Sequence, residues 1–260
     1  MKIADIFYSI QGEGKLVGVP SVFIRTSGCN LRCTWCDTPY TSWSPEGESL
    51  DVEAIVDQVV RHQTHYVVIT GGEPMIAPGI EALTVALKAR DYHITIETAA
   101  TVWKDVVCDL ASISPKLANS TPWERDVQWA RKHEATRINL DVIRRFMQCP
   151  DYQFKFVIDT PDDLSEVESL LHQIGSHEVA GDSPMTNAPS VASARSFPCE
   201  GAKTLPVFPI PASHVLLMPQ CVTREALNAK SQWLADLCKQ KGYRYCSRLH
   251  IELFGNTRAT

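Results

Sequence analysis

The chain has 260 residues, with 25 lysines and arginines against 30 aspartates and glutamates, which gives a formal net charge of −5. A composition of 44% hydrophobic and 21% charged residues supports a sizeable core, and it excludes a disordered chain, a collagen-like chain and a disulfide-stapled miniprotein. The acidic balance gives no reason to expect nucleic-acid binding. No apolar run approaches a membrane span or a secretory signal, so we expect a cytoplasmic protein without a membrane partner.

Short apolar runs alternate with segments of helical spacing, a pattern typical of βαβ units and a mostly parallel sheet. Residues 1–20, with three glycines, predict an opening hairpin or a looped extension. Six strands are predicted after it, over residues 21–26, 66–70, 92–97, 107–112, 153–158 and 215–218. Helices are predicted after the potential caps Ser49 and Asp51, and over residues 79–90, 133–147, 162–174 and 223–241. A helix after nearly every strand favours a barrel or partial barrel.

One region follows neither period. Residues 175–211 contain six of the 16 prolines, together with serines and alanines. A loop of this length is unusual inside a compact domain and is more often a lid, an interaction loop or disorder. We therefore predict a single domain over residues 1–260 with a flexible insertion at 175–211.

Nine cysteines are unusual for a reduced compartment and indicate metal binding or redox chemistry. Cys29, Cys33 and Cys36 form a CxxxCxxC motif directly after the first predicted strand, whereas the other six are scattered and are expected to be inert. Three thiolates from one loop can bind a [4Fe–4S] cluster, and an iron without a protein thiolate can bind a small ligand. The three cysteines alone leave a structural zinc site, completed by a distant Cys or His, as an alternative.

This loop resembles the cluster loop of the radical S-adenosylmethionine (SAM) superfamily. A second match is TGGEP at 70–74, directly after the second predicted strand. The resemblance implies an α/β fold, a partial (βα)6 TIM-like barrel of the radical SAM type with an N-terminal hairpin extension, and a [4Fe–4S] cluster that binds SAM. It also implies that the GGEP segment contacts the SAM amino group, because glycines bring carbonyls close to an ammonium and Glu73 adds negative charge. An ordinary glycine turn is the alternative for this segment alone.

The match narrows to the 7-carboxy-7-deazaguanine synthase family of the 7-deazapurine (queuosine) pathway. The segments that resemble this family are FYSIQGEG at 7–14, Arg25, GCNLRC at 28–33, CDT at 36–38, TGGEP at 70–74, IET at 96–98 and SPK at 114–116. The resemblance implies a carbon–nitrogen lyase that converts 6-carboxy-5,6,7,8-tetrahydropterin into 7-carboxy-7-deazaguanine and ammonia. A 5′-deoxyadenosyl radical made from SAM would abstract a substrate hydrogen and later recover it, so that SAM acts catalytically. A flavodoxin-type or similar reductant and a homodimer are also implied.

The resemblance implies roles for individual residues, and no side chain is assigned as catalytic beyond the cluster and SAM. Thr38 matches a threonine whose hydroxyl binds Mg²⁺, with a helix cap as the alternative. The residues expected to bind substrate are Ile10, Gln11, Gly12, Glu13, Arg25, Thr70 and His250. Their alternatives are a plain hairpin at 10–12, a salt bridge at Arg25, a cap at Thr70 and a structural histidine. The residues expected to bind SAM are Trp35, Cys36, Asp37, Gly72, Glu73, Ser114, Pro115, Lys116, Met218, Pro219, Gln220 and Cys221, of which Lys116 could instead be a surface charge.

The chain departs from the family pattern in three places, one of which is the insertion at 175–211, longer than the short connection expected. Ala99 and Ala100 follow the IET segment where the family usually has Asn-Gly, and the tail at 249–260 runs beyond the end of a short family member. We therefore transfer no contact of a terminal carboxylate. Two other hypotheses are kept: a glycyl-radical activating enzyme, which FYSIQGEG and CDT disfavour, and a zinc or iron–sulfur module without turnover, which leaves GGEP and SPK unexplained.

Overall fold

A computed structural model describes residues 1–176 and 210–260. Nine strands in this part of the chain form one sheet in the order β3-β1-β2-β4-β5-β6-β7-β8-β9. The strands are β1 (Lys2–Ile10), β2 (Pro20–Thr26), β3 (Glu48–Ser49), β4 (Tyr66–Gly71), β5 (His93–Thr98), β6 (Leu110–Ile113), β7 (Asp151–Ile158), β8 (Val215–Pro219) and β9 (Arg244–Tyr245). All pairs from β2 to β9 are parallel, whereas β1 is antiparallel to β2 and β3.

Helices follow most of the parallel strands. They are α1 (Pro39–Ser42), α2 (Val52–Val59), α3 (Ile80–Lys88), α4 (Val127–Thr136), α5 (Leu140–Phe146), α6 (Asp163–Gly175), α7 (Arg224–Lys241) and α8 (Leu249–Phe254). Asp51 and Thr223 cap α2 and α7 by accepting a hydrogen bond from a backbone N–H of the first turn, as expected for residues with side-chain oxygens at this position. None of the described helices combines the length and apolarity needed to cross a membrane.

The predicted α/β architecture is confirmed. The six predicted strands are present as β2 and β4–β8, and β1 forms the expected hairpin with β2, closed by a hydrogen bond from Gln11 N–H to the Val19 carbonyl at 2.9 Å. Residues 177–209 of the predicted insertion, with Cys199, lie outside the described residues.

The core lies between the sheet and the helices that cover its outer face. Val67, Val68 and Ile69 of β4 are all almost fully buried, as expected for a parallel strand covered on both faces. The fully buried Ile55 and Ile80 belong to the apolar faces of α2 and α3 in the same cluster. This packing fixes the strands whose carboxyl ends surround the site.

Two predicted boundaries are wrong for local reasons. The strand expected at 107–112 begins only at Leu110. The carboxylate of Asp109 accepts the backbone N–H of Ile94 at 2.8 Å, and Val107, two residues earlier, donates its N–H to the hydroxyl of Thr84. The single helix expected at 133–147 is two helices, α4 and α5. Asn139 lies between them in an extended conformation and caps α5, which interrupts the helix.

Candidate active site

The carboxyl ends of the parallel strands surround a cavity of about 550 Å³. Its size is within the range of about 300–1,000 Å³ typical of ligand sites. Five of the parallel strands place a side chain on its wall: Arg25 from β2, Thr70 from β4, Glu97 from β5, Lys155 from β7 and Met218 from β8. In barrels of parallel strands this edge carries the active site, because the loops that follow the strands converge there.

Cys29, Cys33 and Cys36 all line this cavity. Burial raises the pKa of the Cys29 thiol to about 12 and that of Cys33 further still, so the protein alone does not stabilise their thiolates. A bound metal supplies the positive charge that deprotonates such thiols. Within residues 1–176 and 210–260, no three His, Cys, Asp or Glu side chains are arranged to hold a single metal ion. Three thiols on the wall of a roomy cavity, one buried and two partly exposed, fit a multi-iron cluster.

A buried histidine that the sequence did not single out holds the cysteine loop. The backbone N–H of Arg32 donates to Nδ1 of His133 at 3.1 Å, and Nε2 of His133 is 2.9 Å from the hydroxyl of Ser120. Because Nδ1 accepts, Nε2 carries the hydrogen and the ring is neutral. Burial lowers the pKa of His133 to about 4, in agreement with a neutral ring.

The two glycines after β4 pack against the cysteine loop. Gly71 has a φ of +122°, which disfavours other residues, and a Cβ at Gly72 would lie 2.0 Å from the carbonyl oxygen of Gly28. The N–H groups of Gly72 and Glu73 donate to the carbonyls of Thr26 and Gly28 at 3.0 and 2.9 Å. The absence of side chains here lets the β4 loop bring its backbone to the cavity beside the cysteines.

Glu73 has a different position from that expected for a direct ligand of an ammonium group. It is almost fully buried, and its carboxylate accepts the hydroxyl of Thr98 at 2.7 Å and the N–H groups of Met75 and Ala99 at 3.1 and 2.9 Å. Burial raises its pKa, although these hydrogen bonds oppose the rise. Glu73 joins the ends of β4 and β5 behind the cavity wall, whereas Gly72 lies on the wall.

Thr38 lines the cavity at the position before α1, but its side chain does not cap that helix. Its hydroxyl oxygen lies 3.4 Å from the hydroxyl of Thr41 and 3.9 Å from the sulfur of Cys36. The alternative interpretation of Thr38 as a helix cap is therefore not supported by the geometry. Because the Thr38 hydroxyl does not cap the helix and lies next to the cysteines, its oxygen can act as a metal ligand.

Arg25 is held from behind by β1. Its Nε lies 3.5 Å from a carboxylate oxygen of Asp5, and its guanidinium carbon lies 5.4 Å from the centre of the Phe7 ring. Thus the salt bridge considered in the sequence analysis is present, but it involves the Nε side of the guanidinium. Arg25 still lines the cavity, where its remaining N–H groups can meet an anion.

A charge network, buried except at Asp37, joins three distant segments of the chain. Glu13, in the hairpin loop, forms ion pairs with Lys155 of β7 and with Nε of Arg248 at 3.0 Å. Arg248 also pairs with Asp37, which follows the third cysteine, and donates to the carbonyl of Cys221. Burial alone would raise the pKa of Glu13, but Lys155 and Arg248 hold it well below its usual range. Glu13 is therefore a permanent anion at neutral pH.

The other expected substrate residues are grouped on the hairpin side. Glu97 accepts the amide of Gln11 at 3.3 Å and the hydroxyl of Thr70 at 2.9 Å, so Thr70 does not act as a cap. His250 lines the cavity and packs against Gly12 so closely that a Cβ on Gly12 would lie 2.1 Å from Nδ1 of His250. Burial lowers the pKa of His250. Ile10 also lies on the wall. Glu97 belongs to the IET motif, which by itself predicts no role for this carboxylate.

Several of the residues expected to bind SAM line the same cavity as the cysteines. Lys116 donates to the hydroxyl of Ser114 at 2.8 Å and lies 5.8 Å from the centre of the Trp35 ring, so it is a wall residue and not a free surface charge. Pro115 is buried beside them and is not part of the wall. A small side pocket, which shares Trp35, Asp37 and Met218 with the main cavity, is completed by Pro219, Gln220 and Cys221.

Comparisons with known proteins agree with this geometry. Residues 23–120 match the Radical SAM superfamily. The chain is 40% identical to a 7-carboxy-7-deazaguanine synthase of Rhodopirellula baltica, over 99% of this chain and 88% of the relative, and 38% identical to one of Halobacterium salinarum, over 100% and 93%. The fold resembles the crystal structure of QueE from Escherichia coli, with a TM-score of 0.59 and 20% identity, over 96% of this chain and 94% of that one.

Proposed function

The chain belongs to the 7-carboxy-7-deazaguanine synthase family, and we propose that it converts 6-carboxy-5,6,7,8-tetrahydropterin into 7-carboxy-7-deazaguanine and ammonia. It is a radical SAM lyase whose cofactors are a [4Fe–4S] cluster and SAM. One observation supports the proposed reaction above all. The three cysteine thiols share a single cavity of about 550 Å³ with cationic and polar side chains. Such a wall suits a small anionic heterocycle.

Cys29, Cys33 and Cys36 would hold the cluster, and Trp35, Asp37, Gly72, Lys116 and Met218 would surround SAM. When bound, the cluster and SAM supply the radical that takes a hydrogen from the substrate and returns it. The protein contributes placement and exclusion of water, because a radical reacts with whatever donor is nearest. The backbone of Gly72 would come close to the SAM amino group, and Glu73 would act indirectly by fixing that loop.

The substrate carboxylate would lie at the Arg25 side of the cavity. The guanidinium of Arg25 offers paired N–H donors, and Asp5 and Phe7 restrict its orientation from behind. Thr38 would bind Mg²⁺, and the ion would neutralise the same carboxylate while keeping several waters. Both groups lie on the cavity wall that also contains the cysteines, so the anion would be brought close to the radical source.

The pterin ring would be recognised at the hairpin side. Gln11 and Thr70 offer donors and acceptors, the carboxylate of Glu97 accepts, and His250 is neutral at pH 7 because burial lowers its pKa. An aminopyrimidinone edge presents alternating donors and acceptors, which this set can match. Lys155 pairs with Glu13 and lies 3.7 Å from a carboxylate oxygen of Glu97, so these charges would help to keep Glu97 in place.

A turnover assay tests the proposal. The protein is reconstituted anaerobically, reduced with dithionite and incubated with SAM, Mg²⁺ and the carboxytetrahydropterin. We expect about four irons per chain, dependent on Cys29, Cys33 and Cys36, and formation of the deazapurine without net consumption of SAM. One zinc per chain would contradict the cluster. SAM cleavage without the deazapurine would contradict the synthase and would favour an activating enzyme that acts on a protein.

Three properties stay predictions of the sequence analysis: a homodimer, a cytoplasmic location and a flavodoxin-type reductant. The relatives support a radical SAM enzyme that acts on a small molecule and requires a reductant. Sedimentation of the reconstituted protein tests the dimer directly.

A further inference from the structure

Two cysteines that are distant in sequence meet at the edge of the sheet opposite the cavity. Cys108 lies before β6 and Cys149 lies before β7, and the thiol of Cys108 donates a hydrogen bond to the sulfur of Cys149 at 3.1 Å. Both belong to the scattered cysteines that the sequence analysis expects to be inert. Neither lines the cavity that contains the CxxxCxxC loop. The two thiols therefore form a pair of their own, separate from the candidate active site.

The sheet brings this pair together. β6 and β7 are parallel neighbours in which Leu110 lies opposite Asp151, and each cysteine stands two residues before one of these positions. The N–H of Asp151 also donates to the carbonyl of Asp109 at 3.1 Å, which holds the two chain segments side by side just before the strands. Neighbouring strands are about 4.7–4.9 Å apart, and a disulfide joins Cα atoms that are about 4.4–6.8 Å apart. A bond between the two sulfurs therefore fits the spacing of the sheet.

The two thiols differ in access to solvent and in acidity. Cys108 is 5% exposed, whereas Cys149 is half-buried and lies between the exposed residues Gln148 and Pro150. The hydrogen bond from Cys108 lowers the pKa of Cys149 against the effect of burial, and it raises the pKa of Cys108. A thiolate, and not a thiol, is the nucleophile in disulfide exchange. The cysteine that solvent can reach is thus also the one that ionises more readily, with the second thiol held against its sulfur.

We propose that Cys108 and Cys149 are a redox modification site, which a small-molecule disulfide of the glutathione type converts reversibly into an intramolecular disulfide. The Cys149 thiolate attacks one sulfur of the small disulfide, forms a mixed disulfide and releases one small thiolate. Cys108 then loses its proton to solvent, and its sulfur attacks that of Cys149 and releases the second small thiolate. One S–S bond breaks and one forms. The two protein thiols lose two electrons and two protons, and the small disulfide gains them.

The bond would tether a part of the chain that holds the cysteine loop. It closes a loop over residues 109–148, in which His133 accepts the N–H of Arg32 and the carbonyl of Asn119 accepts the indole N–H of Trp35 at 3.1 Å. A cross-link of this kind stabilises a protein mainly by restricting the unfolded chain. We therefore expect the apparent midpoint of thermal unfolding to rise by ~5–10 °C on oxidation. Iron content is expected to stay unchanged, because neither thiol lies on the cavity wall.

Peptide mapping of the reconstituted protein tests the site, and it requires no turnover. The protein is incubated anaerobically with oxidised glutathione, its free thiols are alkylated with N-ethylmaleimide, and it is digested with trypsin without reduction. Trypsin places the two cysteines in separate peptides, 105–116 and 146–155, neither of which contains another cysteine. We expect mass spectrometry to find these two peptides joined by a link that dithiothreitol removes. Absence of reaction, a glutathione adduct at Cys149 that does not close, or a link from either cysteine to a third one overturns the proposal.

Three variants test the order of the two steps. Cys108→Ser is expected to accumulate the mixed disulfide of Cys149 with glutathione, because the second thiol is absent. Cys149→Ser is expected to leave Cys108 unmodified, because Cys108 is buried. Cys238→Ser removes another buried cysteine and is the matched control, in which the link is expected to form within about twofold of the unmodified rate. The mapping of the unmodified protein involves no substitution, so it stays decisive if a variant fails to fold.

The oxidised protein gives the last measurement. Its iron content and the electron paramagnetic resonance of its reduced cluster are compared with those of the thiol form, together with the two unfolding midpoints. We expect an unchanged cluster and a raised midpoint, and no rise after the same treatment of Cys108→Ser or Cys149→Ser. Loss of the cluster in step with formation of the link, or an equal rise in these two variants, overturns the proposal.

Discussion

His133 links the stability of the protein to pH through the hydrogen bond that it accepts from the cysteine loop. The fully buried ring is neutral, and burial lowers its pKa from 6.5 to about 4. The unfolded chain therefore binds a proton at a higher pH than the folded chain does, so the stability associated with His133 is present above pH 6.5 and is lost as the pH falls towards 4. From these two pKa values, the free energy of unfolding falls by about 2 kcal/mol between about pH 8 and pH 5 because of this residue alone.

The assay compares the unmodified protein with His133→Asn, whose amide oxygen can still accept the N–H of Arg32 but does not titrate. Urea unfolding is followed by tryptophan fluorescence at both pH values, and we expect the unmodified protein to lose about 2 kcal/mol more than the variant on acidification. A histidine NMR titration gives the pKa directly. Equal losses for the two proteins, or a pKa above about 6, would show that the buried neutral ring is not what holds the loop.

Three other changes probe the site. Gly72→Ala places a methyl group 2.0 Å from a carbonyl of the cysteine loop, so we expect iron content after reconstitution to fall several-fold while a folded circular dichroism spectrum remains. Arg248→Gln leaves Glu13 with one buried cation instead of two, and we expect a loss of about 3 kcal/mol in urea unfolding, against under about 0.5 for Lys239→Gln in an exposed pair. Thr38→Ala is expected to abolish stimulation by Mg²⁺ with unchanged iron content, and persistence of the stimulation would remove Thr38 as a ligand.

The strands and the cysteine loop were predictable from sequence because both depend on local order. Buried parallel strands are continuous apolar runs, so β4 and β8 could be located without their partners. CxxxCxxC and GGEP are each a short continuous stretch of sequence, so each can be recognised without knowing the fold. A parallel sheet then brings the carboxyl ends of neighbouring strands to one edge, whatever the conformation of the connecting loops. This is why Arg25 and Thr70 could be placed near the cysteines from their positions in the chain.

What the sequence did not reveal depends on pairing between distant residues. Lys155 and His133 have no motif around them, and their importance arises only when burial removes water from a charge or a ring nitrogen. Glu73 is a different case. Its motif predicts that it adds negative charge to the SAM site, and in the structure its carboxylate accepts three hydrogen bonds inside the protein, because a buried carboxylate must satisfy its lone pairs. The GGEP motif thus identifies Glu73 as a residue near the site, but it does not identify the hydrogen-bond partners of its carboxylate.

Arg248 shows how the site depends on the whole chain. It pairs with Glu13 and Asp37 across separations of 235 and 211 residues, and so joins the hairpin, the cysteine loop and the segment before α8. Closing loops of this length is entropically unfavourable. The charges of Glu13, Asp37 and Arg248 stabilise the fold only when all three are present, because each is buried or partly buried and needs its partners. The hairpin side, which would recognise the pterin, and the cysteine side, which would hold the radical source, are therefore held in their relative position by one shared side chain, that of Arg248.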